Sequence, residues 1–397
     1  MGKALIIIIV GFSTIFGSIM FKMTTSIQQS SNKILNQYYS LIRRNTAESA
    51  TNVAISRLYQ DIDWRTGFTN LSFTGAHYSV SITDITADST TEAKKIQVTT
   101  ITDYESLIDT SIAIFMQPAY SYFYYYSKKW PPHLVYESGD TLLGPIHSNE
   151  RIKISGSPVF TWKVSSKKDT YMDMGGANPK FYGGADFGTN DIALPNLNAL
   201  KDSAFAGGDI YNEELWLTFN SDGSYQCSTS TILTTKLISN YNGTIMTTND
   251  KHIHVQGAVN GKATVISDKN IFIENDIVYA SDPTLNPNSD DYIGLVADND
   301  LIIVDNAANS MDVVIQAAIL IKGKMKVEHY DTGVPRGTLT ILGSIGQNDA
   351  NPFGTFDAGG GLQTGYEINH SYDVRLLDKT PPFFPRLNRI EKLFRSS

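Results

Sequence analysis

The chain has 397 residues, 41% of them hydrophobic and 18% charged, with a formal net charge of −8. This excludes a disordered chain and leaves room for a sizeable core, organised as an anchor plus one large domain. The acidic balance excludes a general nucleic-acid binder, and the lone cysteine, Cys227, excludes an internal disulfide framework or a cysteine zinc cluster. Tyr, Phe and Gly are abundant while charge is sparse, which suits an extracytoplasmic β-protein.

Residues 4–21 read ALIIIIVGFSTIFGSIMF, uncharged between Lys3 and Lys22. Eighteen helical residues span about 27 Å, close to the hydrocarbon thickness of a bilayer. A run this apolar on every side is not a buried core helix. A cleaved secretory signal is rejected too, because the basic region is very short and no small-x-small site follows. No proline occurs before Pro118, and helical spacing continues through Ile34, Tyr38, Leu41, Val53, Leu58 and Ile62. The spacing predicts one helix over residues 4–62, about 85–90 Å long, spanning a membrane in its first half and amphipathic in its second. Counting Lys22, Lys33, Arg43 and Arg44 after the span disfavours N-in, yet so short an N-terminal tail cannot carry a domain. The orientation adopted is N-in, with the large domain outside the cytoplasmic membrane.

The start MGKALIII, followed by a long helix containing AESATNVAISRL, resembles PilX-like minor pilins and tip-type pseudopilins over about the first 60 residues. The resemblance implies a leader ending at Gly2, cleavage before Lys3, and a filament-core helix that includes Leu5, Ile6 and Ile7. Two departures stand out. Lys3 replaces the usual aromatic or methionine, and Ile7 stands where most pilins carry Glu. That Glu offsets a neighbouring subunit's terminal ammonium, and an unpaired buried ammonium costs several kcal/mol. The resemblance therefore implies a filament-tip position, or a subunit that never enters a filament.

Residues 63–117 are expected to form a small sheet packed on the helix. Tyr78, Val80 and Ile82, then Ile96, Val98 and Thr100, alternate as the two strands of an antiparallel hairpin. The block PAYSYFYYYSKKWPPHLVY (118–136) reads as a wall capping a β-core; its functional alternative is a stacking platform for glycan through Tyr122, Tyr124, Tyr126 and Trp130.

From residue 143 on, nonapeptides align without gaps: IHSNERIKI (146–154), VISDKNIFI (265–273), LVADNDLII (295–303) and ILIKGKMKV (319–327), with TTNDKHIHV (247–255) fitting loosely. Each pairs an apolar first position with an apolar-x-apolar end around a polar turn. Such short strands with Gly, Asn and Asp corners predict an irregular parallel, right-handed β-solenoid over 118–385, interrupted by an insertion at about 161–250. The pieces GPIHSNERIKISGSPVF (144–160), IGLVADNDLIIV (293–304) and GYEINHSYDVRLLDKTPPFFP (365–385) are similar to an uncharacterised bacterial β-solenoid domain family attached to PilX-like anchors. The stretch is also similar to bactofilins, although those lack the anchor.

Chemistry is sparse. His252 and His254 share one strand face but have no third metal ligand. NPNSDDY (286–292) and DND (298–300) offer oxygens for Ca²⁺ without EF-hand spacing, and turn chemistry accounts for them equally well. His147, or stacked Asp268 and Asp298, would have to anchor any solenoid enzyme. No catalytic residue, metal site or cofactor is assigned. The tail over 386–397 is basic and helix-like, and PPFFP is expected to staple across a solenoid end. The reading is a non-enzymatic minor or tip component of a type IV pilus-like or type II secretion-like filament. Its expected partners are the membrane, pilin-like subunits, assembly machinery and surface polysaccharide, not nucleic acid. The alternatives are a static membrane-anchored glycan binder and a polysaccharide-degrading enzyme.

Overall fold

The computed structural model describes residues 2–132, 134–357 and 359–396; Met1, His133, Ala358 and Ser397, which fall within the expected segments, lie outside the described residues. Two compact units emerge, each described by itself: a helix unit of Met1–Ile85, Lys95–Met116 and Ile390–Ser397, and a ladder unit of Thr86–Lys94 and Gln117–Arg389. The chain is mainly β with one long helix.

In the helix unit, α1 runs unbroken over Gly2–Gln60. Its second half buries Ala47, Ala50, Ala54 and Leu58 against a five-stranded sheet. That sheet takes the order β1 (Phe68–Phe73), β2 (Ala76–Asp84), β3 (Lys94–Tyr104), β4 (Leu107–Gln117) and then the last strand, Glu391–Ser396. Small side chains on this helical face let backbone and sheet approach closely, while Val80, Ile82, Ile96, Val98 and Phe115 fill the space beneath. Strands β2 and β3 pair antiparallel, with Val80 opposite Thr100 and Ile82 opposite Val98. One polar link crosses this core: Thr51 donates to Ala47 O at 2.7 Å, so its Oγ1 accepts from Thr100 at 2.8 Å. The closing segment, expected to be helix-like, is instead a strand antiparallel to β4. At six residues this strand is too short to reveal a period in the sequence.

The ladder unit is built on ten parallel strands, eight of them short and two long. In chain order they are β5 (Tyr125–Ser127), β6 (Ile146–Ser148), β7 (Val164–Ser166), β8 (Ala185–Phe187), β9 (Asp209–Tyr211), β10 (Thr244–Thr247), β11 (Lys262–Ser267), β12 (Tyr292–Ala297), β13 (Val313–Val327) and β14 (Pro335–Ala350). In space the order is β8-β7-β6-β5-β14-β13-β12-β11-β10-β9. One column of side chains runs through nine consecutive strands in register: Val164, Ile146, Tyr125, Ile345, Ile319, Leu295, Val265 and Ile245, ending on Asp209. The aliphatic members are almost fully buried, and each contributes about 1.5–3 kcal/mol. Long strands bend at corners and pair with several neighbours, so β13 meets Ile271–Tyr279, β12 and Leu301–Ile303 in turn. Pairing is not uniform: Leu215–Phe219 with Ser224–Ser228, and Gly354–Phe356 with Leu362–Ser371, are antiparallel.

Two segments cover the outward side of this ladder. Residues 188–208 lead from β8, at one end of the column, to β9 at the other, about 43 Å away at nine strand spacings. Along that path Asn149 exchanges hydrogen bonds with the Ile192 backbone, helix α2 (Asn198–Gly207) buries Leu200 and Ala204, and Asn242 donates to Ser203 O at 2.7 Å. Met246, Ile266, Val296 and Leu320 are consequently buried although they point away from the column interior. The second cover is the Pro-Phe segment. Thr264 donates to Pro382 O at 2.6 Å, and a Cβ on Gly294 would meet Phe384 at 2.8 Å. Thr264, Gly294, Ala318 and Ser344 form a row of small residues in register, which makes the room. PPFFP therefore lies along the side of the ladder, not across its end. Both faces are buried, as parallel sheets require.

Residues 161–250 are not an insertion. They supply β7, β8, β9, β10 and the strand Leu215–Phe219 to the same pairing network.

Lys201 on α2 holds the 188–208 segment down, bonding Asp268 and, at 2.7 Å, Asp298; Lys322 takes the other Asp298 oxygen at 2.5 Å. Lys201→Ala is expected to cost about 1–2 kcal/mol, since the partners are only about a quarter exposed. Limited proteolysis should then cut within residues 188–197 faster than in the parent; unchanged cutting would count against the clamp.

Candidate functional site

The first half of α1 is an exposed apolar surface. From Leu5 to Phe21 the large side chains stand exposed, with Ile7 at 73% and Phe21 at 72%. The hydroxyls in this stretch are turned inward: Thr14 donates to Val10 O at 3.0 Å, Ser18 to Thr14 O at 2.9 Å and Thr24 to Met20 O at 2.9 Å. Satisfying hydroxyls within the helix removes the cost of placing them in hydrocarbon. Among the described residues, α1 is the one helix long and apolar enough to cross a membrane. Gly2 and Lys3 open its first turn, and Leu5, Ile6 and Ile7 stand exposed just after them. No acidic residue lies in that first turn.

The aromatic platform read from 118–136 does not exist as a surface. Tyr124, Tyr126 and Trp130 are buried, and Tyr122 is half-buried against the same core. Tyr126 donates to Ile192 O at 2.6 Å, Trp130 Nε1 donates to Leu134 O at 2.8 Å, and Tyr124 stacks on His370 at 4.0 Å. A run of neighbouring tyrosines has no alternation from which inward and outward rings can be told apart.

His147 is equally enclosed. Its Nε2 lies 2.9 Å from Asn149 Oδ1, which only accepts, so Nε2 carries the proton and Nδ1 accepts from Ser165 at 2.8 Å. Burial pushes its pKa down to about 4. The unfolded chain takes up this proton near pH 6.5, so between about 6.5 and 4 it binds more protons than the folded one. The stabilisation is complete above pH 6.5 and is lost as pH falls through that window. Expected outcome: the ladder unit's unfolding midpoint drops steadily from pH 7 to 4, and His147→Gln makes the profile shallower, with His370, whose pKa burial pushes down to about 3, carrying the rest. A wild-type profile that is already flat would refute this.

The remaining candidates serve the fold. Asp268 and Asp298 are bridged by Lys201. Asp291 accepts from Gly261 N and Ser281 N, and Asp300 from Lys324 N and Lys326 Nζ, so these acids serve turns and neighbouring strands. Among the described residues, no His, Cys, Asp and Glu group is arranged to hold a metal ion. His254 points outward, with Glu274 2.6 Å from Nδ1 and Glu214 2.8 Å from Nε2.

Sequence reasoning missed two features. Buried Asp209 accepts from Tyr211 at 2.7 Å, Tyr225 at 2.8 Å and Lys236 at 2.7 Å, with Cys227 2.8 Å from the Tyr211 hydroxyl. The members are scattered over 28 residues of one hairpin region, with no motif to flag them. Two open hollows of about 470 and 440 Å³ also adjoin at Thr91, Lys262 and Asp290.

No protein-family model matches the chain, and no curated protein matches it. Among solved structures, the competence-associated pilin ComZ from Thermus thermophilus is similar at 11% identity and a TM-score of 0.33, over 90% of this chain and 97% of that one. With so low a score, fold and function rest on this chain's own elements.

Proposed function

We propose that the chain is a non-enzymatic, membrane-anchored, pilin-like subunit. It would act as a minor or tip component of a type IV pilus-like or type II secretion-like filament. In this reading the ladder unit is an irregular, right-handed parallel β-solenoid presented outside the cytoplasmic membrane for adhesion or assembly. One observation carries it: a single helix whose first half is an exposed apolar rod and whose second half is packed on its own sheet. Such a helix suits transfer from lipid to the apolar core of a filament, because both surroundings bury the same residues. Ile7, in place of a carboxylate, favours the tip.

N-terminal mass spectrometry on protein from its native membrane tests the reading. A chain beginning at Lys3, N-methylated, is the expected result. One beginning at Met1 or Gly2 would leave a static anchored surface protein.

A further inference from the structure

The end of the ladder that carries β9 is covered by a hairpin, and the hairpin builds a slot. Across it, five residues lie in register on one outward row: Phe272, His254, Trp216, Ser228 and Leu233. The first three rings stack, His254 lying 4.8 Å from Phe272 and 4.7 Å from Trp216, with interplanar angles of 12° and 11°. The stack stops at Trp216, because the next residue in the row is a serine. Trp216 is 44% exposed, and beyond Ser228 stands Leu233, 70% exposed. The indole and the leucine are thus two walls on either side of a small hydroxyl floor.

The walls are two strand spacings apart, about 9.5 Å. Carbon–carbon contacts of about 3.5–4.0 Å to each wall leave a single ligand layer with about 2 Å to spare for pucker. A flat guanidinium leaves that slot loose, whereas a puckered pyranose chair fills it and lays its C–H face on the indole. The rim is acidic. Glu214 reaches His254 through one oxygen, and Glu213 accepts from Ser230 at 2.5 Å and Thr231 at 3.1 Å. Hydrogen bonds from Ser230 and then Thr229 hold the Glu213 carboxyl below its ordinary range, so it is ionised at neutral pH.

We propose that the Trp216–Ser228–Leu233 slot binds a glycan bearing free amines, of the glucosamine type, with the indole as stacking face and Glu213 and Glu214 as acceptors. The carboxylates repel uronates and sulfated sugars. The assignment stands apart from filament incorporation and holds for an anchored protein equally.

The test uses the full chain in detergent micelles, titrated with a glucosamine hexamer and followed by calorimetry and tryptophan fluorescence. Its N-acetylated counterpart, polygalacturonate and an arginine-rich peptide are run in parallel. The hexamer is expected to bind, with Trp216→Ala lowering affinity at least tenfold. Ser228→Leu, which fills the slot without touching the stack, should do the same while the circular dichroism and unfolding midpoint stay unchanged. Glu213→Gln should narrow the preference for the deacetylated over the acetylated sugar. Full affinity in Ser228→Leu, preference for polygalacturonate or the peptide, or no binding of the glucosamine hexamer would each overturn the proposal.

Discussion

Replacing Tyr126 with alanine is expected to destabilise the ladder unit by about 3–5 kcal/mol, the largest single-residue effect predicted for its core. The residue sits where β5, early in the ladder unit, meets β14, far along the chain, with Tyr126 directly opposite Gly346. Its ring lies parallel to His147 at 6.0 Å, and Tyr120 packs edge-on at 5.4 Å. Removing it opens a cavity at a joint between strands more than 200 residues apart in sequence. Tyr126→Phe separates ring from hydroxyl. Ile192 O would still accept from Asn149 at 2.7 Å, so the phenylalanine variant should lose only about 0.5–1.5 kcal/mol. Denaturant unfolding with probes in each unit would resolve the two transitions. If alanine costs no more than phenylalanine, the joint is not held by packing.

That joint also marks the limit of what the sequence discloses. The nonapeptides were legible because successive strand–corner–strand segments repeat one inward position and one corner: Val265, Leu295 and Ile319 are paired neighbours, as are Ile273, Ile303 and Val327. The looser copy at 247–255 has a physical reason. Val255 still pairs with Ile273, but the corner is two residues longer, with Asn249 and Asp250 both at positive φ. Strand order was not legible. An inward Ile fits beneath any other inward Ile, so periodicity cannot say that β14 stacks on β5 or that residues 188–208 run back along the ladder. Strands of two or three residues such as Lys180–Phe181 have no period at all, and residues 161–250 looked like an excursion for that reason.

The candidate sites divide along the same line. Exposure of the first half of α1 followed from composition, since eighteen uncharged, mostly apolar residues without a polar face leave nothing to bury selectively. In the aromatic block, composition misled, because tyrosine serves a core and a surface equally. Trp216 was passed over because its significance lies in register: a serine and a leucine on two other strands turn one exposed ring into a slot.

Two charges placed in the apolar rod should abolish membrane retention while leaving both units folded. Ile9 and Ile15 lie near the middle of the span and are more than half exposed. An aspartate at the centre of a bilayer costs about 2.5–3.5 kcal/mol, so Ile9→Asp with Ile15→Asp adds about 5–7 kcal/mol to insertion. Neither belongs to the packed cluster of Ala50, Ala54, Leu58 and the sheet, so the unfolding transitions should not move. Ile34→Asp is the matched control: equally exposed and on the same helix, but beyond Lys22 and outside the apolar stretch. Alkaline carbonate extraction should release the double variant and retain both the control and the parent. Release of the control as well would mean that the helix is held by its whole length, and retention of the double variant would mean that the apolar rod is not the anchor.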